Sequence, residues 1–217
     1  MKENNSKKEI QENIISTALS LFIEHGIKEV KMDDIATRLS ISKRTIYEIF
    51  KDKEQLLFEA LKLQQERMRL KGKEIIRTSS HVLEIILKLY SLYFKLIKEF
   101  PRNFFSEMEK YPEICKLQRE KEKKNAKKFI AWMELGRQQG LFREDANFEI
   151  MMFILNRDLK TIFDVKMQTG HSELSNYTPS ELGRSLILFY LRGISTHKGQ
   201  EIIEDFLEKN ETIIQQL

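Results

Sequence analysis

The sequence predicts an all-α protein, and three observations support this. Only three prolines and eight glycines occur among 217 residues. Leucine, isoleucine, lysine and glutamate recur at spacings of three and four, the period of an α-helix. No long alternation of β-branched and polar residues appears. We therefore expect helices along the whole chain, and a hydrophobic content of 41% is enough to give them a core.

The first helix is predicted from about Lys7 to Glu24. Ser6 with Glu9 has the pattern of a capping box before it, and Gly26 follows its end. One face of this helix is apolar and should be buried. That face consists of Ile10, Ile14, Ala18, Leu21 and Phe22.

Two short helices are predicted next. The segment DDIATRL, residues 33–39, forms the first, and Ser42 caps the second, in which Ile46, Ile49 and Phe50 share one face. Helices of this length are unstable in isolation, so both must pack against the first helix. Three helices so arranged form a helix-turn-helix, in which the last short helix enters the major groove of DNA.

The exposed face of the second short helix has the chemistry of a DNA contact. With its apolar residues turned inward, Arg44 and Glu48 point outward. Arg44 can pair with a guanine edge, while Glu48 either accepts from a cytosine amino group or pairs with Arg44 one turn back. We predict that the residues contacting DNA are Lys31, Ser42, Lys43, Arg44, Thr45, Tyr47, Lys51 and Lys53.

Residues 10–57 resemble the DNA-binding domain of the TetR/AcrR family of bacterial transcriptional regulators. The resemblance rests on ALSLFIEHGIKEV followed by MDDIATRLSISKRTIYEIFKDKEQLL. It implies a helix-turn-helix DNA-binding domain over residues 1–55 and a helical ligand-binding and dimerisation domain over residues 56–217. The implied partners are double-stranded operator DNA, a small-molecule effector and a second copy of the chain. Repression released by the effector is the expected mode, with activation as the alternative.

Four positions depart from the family pattern. Ser40 stands where glycine is frequent, and Lys31 stands where Thr or Ser often caps the second helix. Arg44 replaces a small residue, and Glu48 replaces a histidine. The base contacts therefore have to be derived from the side chains of this chain.

The C-terminal part has the composition of a helical bundle. The segment FEIMMFIL, residues 148–155, is apolar on nearly every side and is expected at the centre of the bundle. Abundant Phe and Met suit an adaptable pocket. The candidate ligand contacts, which are weak, are Phe94, Trp132, Met152 and Phe163.

The last two predicted helices have more apolar surface than one neighbour can cover. Thr178 and Glu181 form a capping box at the start of the first of them, around Pro179. SLILFYLRGISTHKGQEIIEDFL resembles the two final helices of the family, which form a four-helix dimer interface. The predicted interface residues are Leu182, Leu186, Phe189, Gly193, Ile203 and Phe206. A monomeric core, or a helical adaptor that binds another protein, is the alternative.

Composition argues against several other classes of protein. Cys115 is the only cysteine, so an intrachain disulfide or a cysteine zinc site is impossible, in agreement with a reducing compartment. The four histidines are scattered, and neither an H-E-x-x-H motif nor a glycine-rich phosphate loop occurs. We expect no catalytic residues, no metal and no cofactor. No apolar run is long enough to cross a bilayer, so a cytoplasmic protein without a membrane partner is expected.

The most basic stretch lies outside the predicted DNA-binding domain. KLQREKEKKNAKK, residues 116–128, carries seven basic residues and two acidic ones. Because it lacks interleaved aromatic residues, a solvated helix face is favoured over a second nucleic-acid or membrane patch. The formal net charge of the chain, +4, is too small to decide the question.

Overall fold

The computed structural model describes residues 2–101, 103–163 and 176–210, and for residues 2–6 and 163 it describes only the backbone. Within these ranges the helices are α1 (Lys2–His25), α2 (Met32–Leu39), α3 (Lys43–Tyr47), α4 (Lys53–Thr78), α5 (Val82–Glu99), α6 (Phe104–Met108), α7 (Pro112–Gln138), α8 (Phe148–Phe163), α9 (Pro179–Ile194) and α10 (His197–Lys209). The same ranges contain no β-strand, only an isolated bridge between Phe142 and Ser195. The prediction of an all-α fold is confirmed.

Most of the predicted helix starts are capped by a side chain that accepts a hydrogen bond from a free backbone N–H. The backbone N–H of Glu181 donates to Thr178 Oγ1 at 3.2 Å, and the Thr178 N–H donates to Glu181 Oε2 at 2.6 Å, which completes the predicted capping box of α9. Asp52 accepts from the N–H of Gln55 at 2.8 Å at the start of α4. The prediction for Ser6 is wrong. Because no helix breaker precedes it, α1 already begins at Lys2 and continues through Ser6.

The chain divides into two compact units. Unit 1 consists of Met1–Lys71 and Glu99–Leu117, and unit 2 consists of Gly72–Lys98 and Gln118–Leu217. The predicted DNA-binding domain, residues 1–55, lies within unit 1, which also contains α6. That residues 1–55 form a separate domain stays a prediction.

The core of unit 1 joins α1, α2, α3, α4 and α6. From α1, the predicted core residues Ile14, Ala18, Leu21 and Phe22 are all buried. Ile10 is exposed, which contradicts its predicted place in the core, because α1 extends beyond the elements that cover its C-terminal half. The other large side chains that are almost completely buried in this core include Ile27, Ile35, Ile46, Phe50, Leu56, Leu57 and Phe104.

The core of unit 2 is built from α5, α7, α8, α9 and α10. A glycine on α9 makes close packing against α5 possible, since a Cβ atom at Gly183 would collide with Cε1 of Phe94. Any larger residue would push α9 away from that ring. The almost completely buried residues of this core include Val82, Leu83, Met133, Leu141, Phe142 and Ile203.

The predicted central position of α8 is wrong. Phe148, Met151, Met152 and Leu155 are buried, but Ile150, Phe153 and Ile154 are 58%, 72% and 40% exposed. Only one face of α8 therefore packs against its own unit, and the apolar opposite face is left open. None of the helices in the described ranges is long and apolar enough to cross a membrane.

Candidate nucleic-acid interface

Helix α3 begins at a serine cap and has two chemically distinct faces. Ser42 Oγ accepts from the backbone N–H of Thr45 at 3.1 Å, and the two hydroxyl groups lie 2.9 Å apart. The cap satisfies one of the free amides with which any helix starts. Ile46 and, just beyond the helix, Phe50 are buried in the core of unit 1. Burial on this side fixes which residues of α3 remain exposed.

The exposed side of α3 carries the predicted contact residues. Lys43, Arg44, Tyr47 and Glu48 are exposed, and Thr45 is half-buried. Tyr47 places a phenol ring with a hydroxyl donor on the open surface, a group that can reach a phosphate or a base edge. The structure thus buries the side of α3 that was predicted to be buried and exposes the opposite side. The contact of the exposed side with DNA remains a prediction.

The turn between α2 and α3 contains the one described residue other than glycine with a positive φ angle. Ser40 has φ 54° and ψ 38°, in the left-handed region. The N–H of Ser40 donates to the Thr37 carbonyl at 3.1 Å, and the N–H of Ile41 donates to the Ala36 carbonyl at 3.0 Å. These bonds end α2 and direct the chain into α3. Glycine would adopt this conformation without the steric cost that a Cβ atom brings.

Two of the cations on α3 are paired with acidic groups of the same unit. Lys43 Nζ donates to Asp33 Oδ2 at 2.8 Å, and this hydrogen bond raises the pKa of Lys43. Arg44 Nε donates to Glu48 Oε1 at 3.0 Å. Both pairs are exposed to solvent, where such contacts contribute little to stability. Each pair instead restricts the directions in which the lysine or arginine side chain can point.

The three remaining predicted lysines differ in how accessible they are. Lys31 and Lys51 are exposed. Lys31 precedes α2, where Asp34 accepts from its backbone N–H at 2.7 Å in the absence of a Thr or Ser cap. Lys53 is half-buried, its ammonium group lies 3.4 Å from the carbonyl of Lys28, and burial lowers its pKa. Lys53 is thus less accessible than Lys31 and Lys51.

Unit 1 also contains a buried carboxylate that the sequence did not reveal. Glu107 of α6 is almost completely buried, accepts from the Lys28 N–H at 2.7 Å and accepts from Asn103 Nδ2 at 2.5 Å. It thereby joins α6 to the turn after α1, where Gly26 has φ 88°. Nothing in FFSEMEK distinguishes this glutamate from a surface residue, since only the packing of α6 buries it.

One of the four candidate ligand contacts, Phe94, belongs to an aromatic cluster of unit 2. Phe94 and Met152 are buried and Trp132 is half-buried, while the side chain of Phe163 lies outside the described residues. The aromatic cluster comprises Tyr90, Tyr93, Phe94 and Phe129, with neighbouring ring centroids 5.8 to 6.3 Å apart.

The sequence reasoning did not include the two tyrosines of this cluster. Tyr93 is 40% accessible, yet burial raises the pKa of its hydroxyl to about 12. Burial also raises the pKa of Tyr90. The Tyr93 ring is thus partly exposed beside the buried Phe94, with the two ring centroids 5.8 Å apart.

The six residues predicted to form a dimer interface have different environments. Phe189 is 74% exposed, and Gly193 is exposed with no atom within 4 Å of a Cβ built on it. Leu182, Leu186 and Phe206 are half-buried. Ile203 is completely buried in the core of its own unit, so the structure places its side chain inside the subunit.

The basic stretch of residues 116–128 is mostly a solvated helix face. Of its seven basic residues, Lys121 alone is half-buried, and burial lowers its pKa. The others are exposed: Lys116, Arg119, Lys123, Lys124, Lys127 and Lys128. No group of His, Cys, Asp and Glu that could hold a metal is found within the described ranges.

A capped short helix with a buried apolar side and an exposed cationic side, packed in a three-helix unit, defines a helix-turn-helix protein. Comparison with known proteins points to the same class. Residues 14–60 match the family model described as bacterial regulatory proteins, tetR family. No curated protein gives a sequence match.

Several solved structures share the fold. A protein of Saccharomonospora viridis, described as a transcriptional regulator in complex with choline, is 21% identical with a TM-score of 0.69 over 88% of this chain and 100% of its own. A TetR-family regulator of Agrobacterium tumefaciens is 17% identical, with a TM-score of 0.67 over 88% and 100%. The fatty acid degradation regulator FadR of Bacillus halodurans is 18% identical, with a TM-score of 0.60 over 83% and 94%.

Identities this low show a common fold and carry no information on ligands. The family match over residues 14–60 confirms the predicted resemblance of the N-terminal part to TetR/AcrR-family regulators, and the solved structures show that the chain shares their fold. The same findings support a DNA-binding transcriptional regulator.

Proposed function

We propose that the protein is a homodimeric repressor that binds a palindromic operator and is released from it by a small organic effector. The observation that carries this proposal is the two-sided character of α3. Ile46 anchors the helix in unit 1, while Lys43, Arg44 and Tyr47 face outward. A helix anchored in this way presents its outer side chains to the major groove without refolding.

Phosphate contacts supply most of the affinity in this proposal. Lys31 and Lys51 are exposed and suit phosphates, and Lys43 can exchange Asp33 for a phosphate oxygen. Each phosphate contact releases counterions from the duplex, so binding weakens steeply with salt. The half-buried Lys53 contributes less than the exposed lysines, because its ammonium group would have to leave the Lys28 carbonyl.

The homodimer is proposed to form through the exposed apolar residues of α8 and α9. Phe153 and Ile150 on α8 and Phe189 on α9 are among the most exposed large apolar side chains of the described residues. Helices α8 and α9 pack against each other in unit 2. A second copy would remove these side chains from water, which contributes roughly 25 cal/mol per Å² of apolar surface. Gly193 leaves room for close approach.

The effector is proposed to bind beside the aromatic cluster. Its rings offer apolar and stacking surface, and the hydroxyls of Tyr90 and Tyr93 supply polar groups. In a repressor of this type, effector and operator binding oppose each other with a reciprocal coupling energy.

Gel-shift assays on the region upstream of the gene test DNA binding. At low salt the wild-type protein should retain the fragment, and Arg44→Ala with Tyr47→Ala should reduce retention at least tenfold. Arg77→Ala is a matched control, since Arg77 is exposed and paired with Glu74 much as Arg44 is with Glu48. Lack of retention at low salt, or an equal loss in the control, would contradict the proposal.

Sedimentation velocity tests the dimer. Phe153→Asp and Phe189→Asp place charges on the proposed interface and should shift the protein to the monomer. Tyr177→Asp changes another exposed aromatic residue and should leave the dimer intact. A dimer that survives both interface substitutions argues against this surface. A dimer that persists in a protein without DNA binding favours a helical adaptor.

A further inference from the structure

The contact between Arg44 and Glu48 is directional. Nε of Arg44 donates to Oε1 of Glu48 at 3.0 Å, one helical turn away. The guanidinium group has five N–H donors in a planar fork, and this bond occupies only the donor closest to the backbone. The terminal pair, Nη1 and Nη2, is left for another partner, and the Arg44 side chain is 88% exposed.

A glutamate on this face has an electrostatic cost for DNA binding. Its carboxylate repels phosphates and the acceptor atoms on base edges, so it lowers affinity for DNA of any sequence. A glutamate that served only solubility could lie elsewhere on the surface without weakening DNA binding. The hydrogen bond to Arg44 gives Glu48 a role that offsets this cost, because it limits the orientations that the long arginine side chain can adopt.

We propose that Glu48 is a positioning residue that holds Arg44 with its terminal amino groups aimed at a guanine in each half-site. Guanine is the matching base because O6 and N7 are two adjacent acceptors in the major groove, and two parallel N–H donors satisfy both. This inference rests on the proposed DNA-binding function and adds the base that the recognition helix selects. Glu48 acts through Arg44 and needs no contact with the base.

The proposal separates affinity from specificity. Without Glu48, Arg44 turns toward the nearest phosphates, so binding to unrelated DNA strengthens while the preference for guanine weakens. Damage to the fold of α3 would weaken both. Gln at position 48 still offers a side-chain oxygen to Nε, so it should preserve the orientation without the charge.

The experiment is selection of binding sites from a randomised operator library, followed by titration of the selected site and of a scrambled duplex. Wild-type protein should prefer guanine at one position of each half-site by about tenfold or more. Glu48→Ala should reduce this preference several-fold and strengthen binding to the scrambled duplex. Glu48→Gln should retain the preference. Arg44→Lys, which keeps the charge but lacks the fork, should reduce the preference several-fold while binding to the scrambled duplex stays within about threefold.

A matched control is Glu74→Ala, which removes an exposed carboxylate of the same type, paired with Arg77, from α4. This variant should change neither the guanine preference nor the affinity for the scrambled duplex. Wild-type protein that binds DNA without a guanine preference would overturn the inference. An unchanged guanine preference in Glu48→Ala would also overturn it, and so would an equal loss of affinity for the selected site and for the scrambled duplex in that variant. These results leave the proposed function intact. Wild-type protein that binds no DNA would instead overturn the proposed function as well.

Discussion

Replacing Ser40 by glycine should stabilise the turn between α2 and α3. Ser40 holds φ 54° and ψ 38°, a conformation that costs an L-residue about 1 to 2 kcal/mol because Cβ crowds the following carbonyl. Glycine avoids that crowding but loses about 0.5 to 1 kcal/mol more conformational entropy on folding. The Ser40 side chain is exposed, so its removal leaves no cavity. The net expectation is a gain of about 0.5 to 1 kcal/mol.

Amide hydrogen exchange of peptides covering residues 32–50 measures this effect locally. Tryptophan fluorescence is unsuitable, because the only tryptophan, Trp132, belongs to unit 2. A gain of about 0.5 to 1 kcal/mol in the opening free energy slows exchange about two- to fivefold. Affinity for the operator should change less than twofold, since the backbone keeps the same angles.

Two further variants separate the backbone effect from other causes. Ser40→Ala keeps the Cβ atom and should exchange at nearly the wild-type rate. Ser20→Gly removes an exposed serine inside α1 and should destabilise the protein by about 0.5 kcal/mol, because glycine is a poor helix former. Exchange that is faster in Ser40→Gly than in wild type would refute the reasoning, as would equal slowing in Ser40→Ala.

Three other predictions concern contacts inside the two units. Glu107→Ala should lower the unfolding free energy of unit 1 by about 1 to 3 kcal/mol in urea titrations followed by circular dichroism, because it leaves the part-buried N–H of Lys28 without an acceptor. Gly183→Ala should cost about 1 to 3 kcal/mol, measured by the fluorescence of unit 2, because the new Cβ collides with Phe94. Lys88 holds the pKa of Glu84 below its ordinary value. The stabilising effect of Glu84 is therefore present above its ordinary pKa of about 4.3 and is lost as the pH falls through the lowered value, so Glu84→Gln should be less stable than wild type near pH 7 and equal to it in acid.

Each of these predictions has a matched control. Glu109→Ala changes an exposed glutamate just after α6 and should be nearly neutral. At Gly72 a Cβ would lie 3.5 Å from Leu89, an ordinary contact, so Gly72→Ala should stabilise α4 by up to about 1 kcal/mol. Glu74→Gln affects a fully solvated pair and should show little dependence on pH. A control variant whose change in stability equals that of the variant it is paired with would contradict the explanation.

The sequence determined the local features of the recognition surface. The caps at Ser42 and Thr178 are hydrogen bonds between groups three residues apart, so the local sequence is enough to define them. The periodicity of Ile46 and Phe50 likewise defined the buried side of α3, and its complement is the exposed cationic side. The family resemblance had the same origin, since its pattern lies within this contiguous stretch.

Only the tertiary structure decided which side chains the neighbouring elements cover. Glu107 looks like a surface residue and is buried, while Phe153 looks like a core residue and is exposed. Ile203 was predicted at an interface and packs inside unit 2, and the ammonium group of Lys53 lies beside the carbonyl of Lys28. Burial and the direction of a long side chain depend on residues that are far apart in sequence and meet only when the helices pack, and helical periodicity does not specify which helices meet.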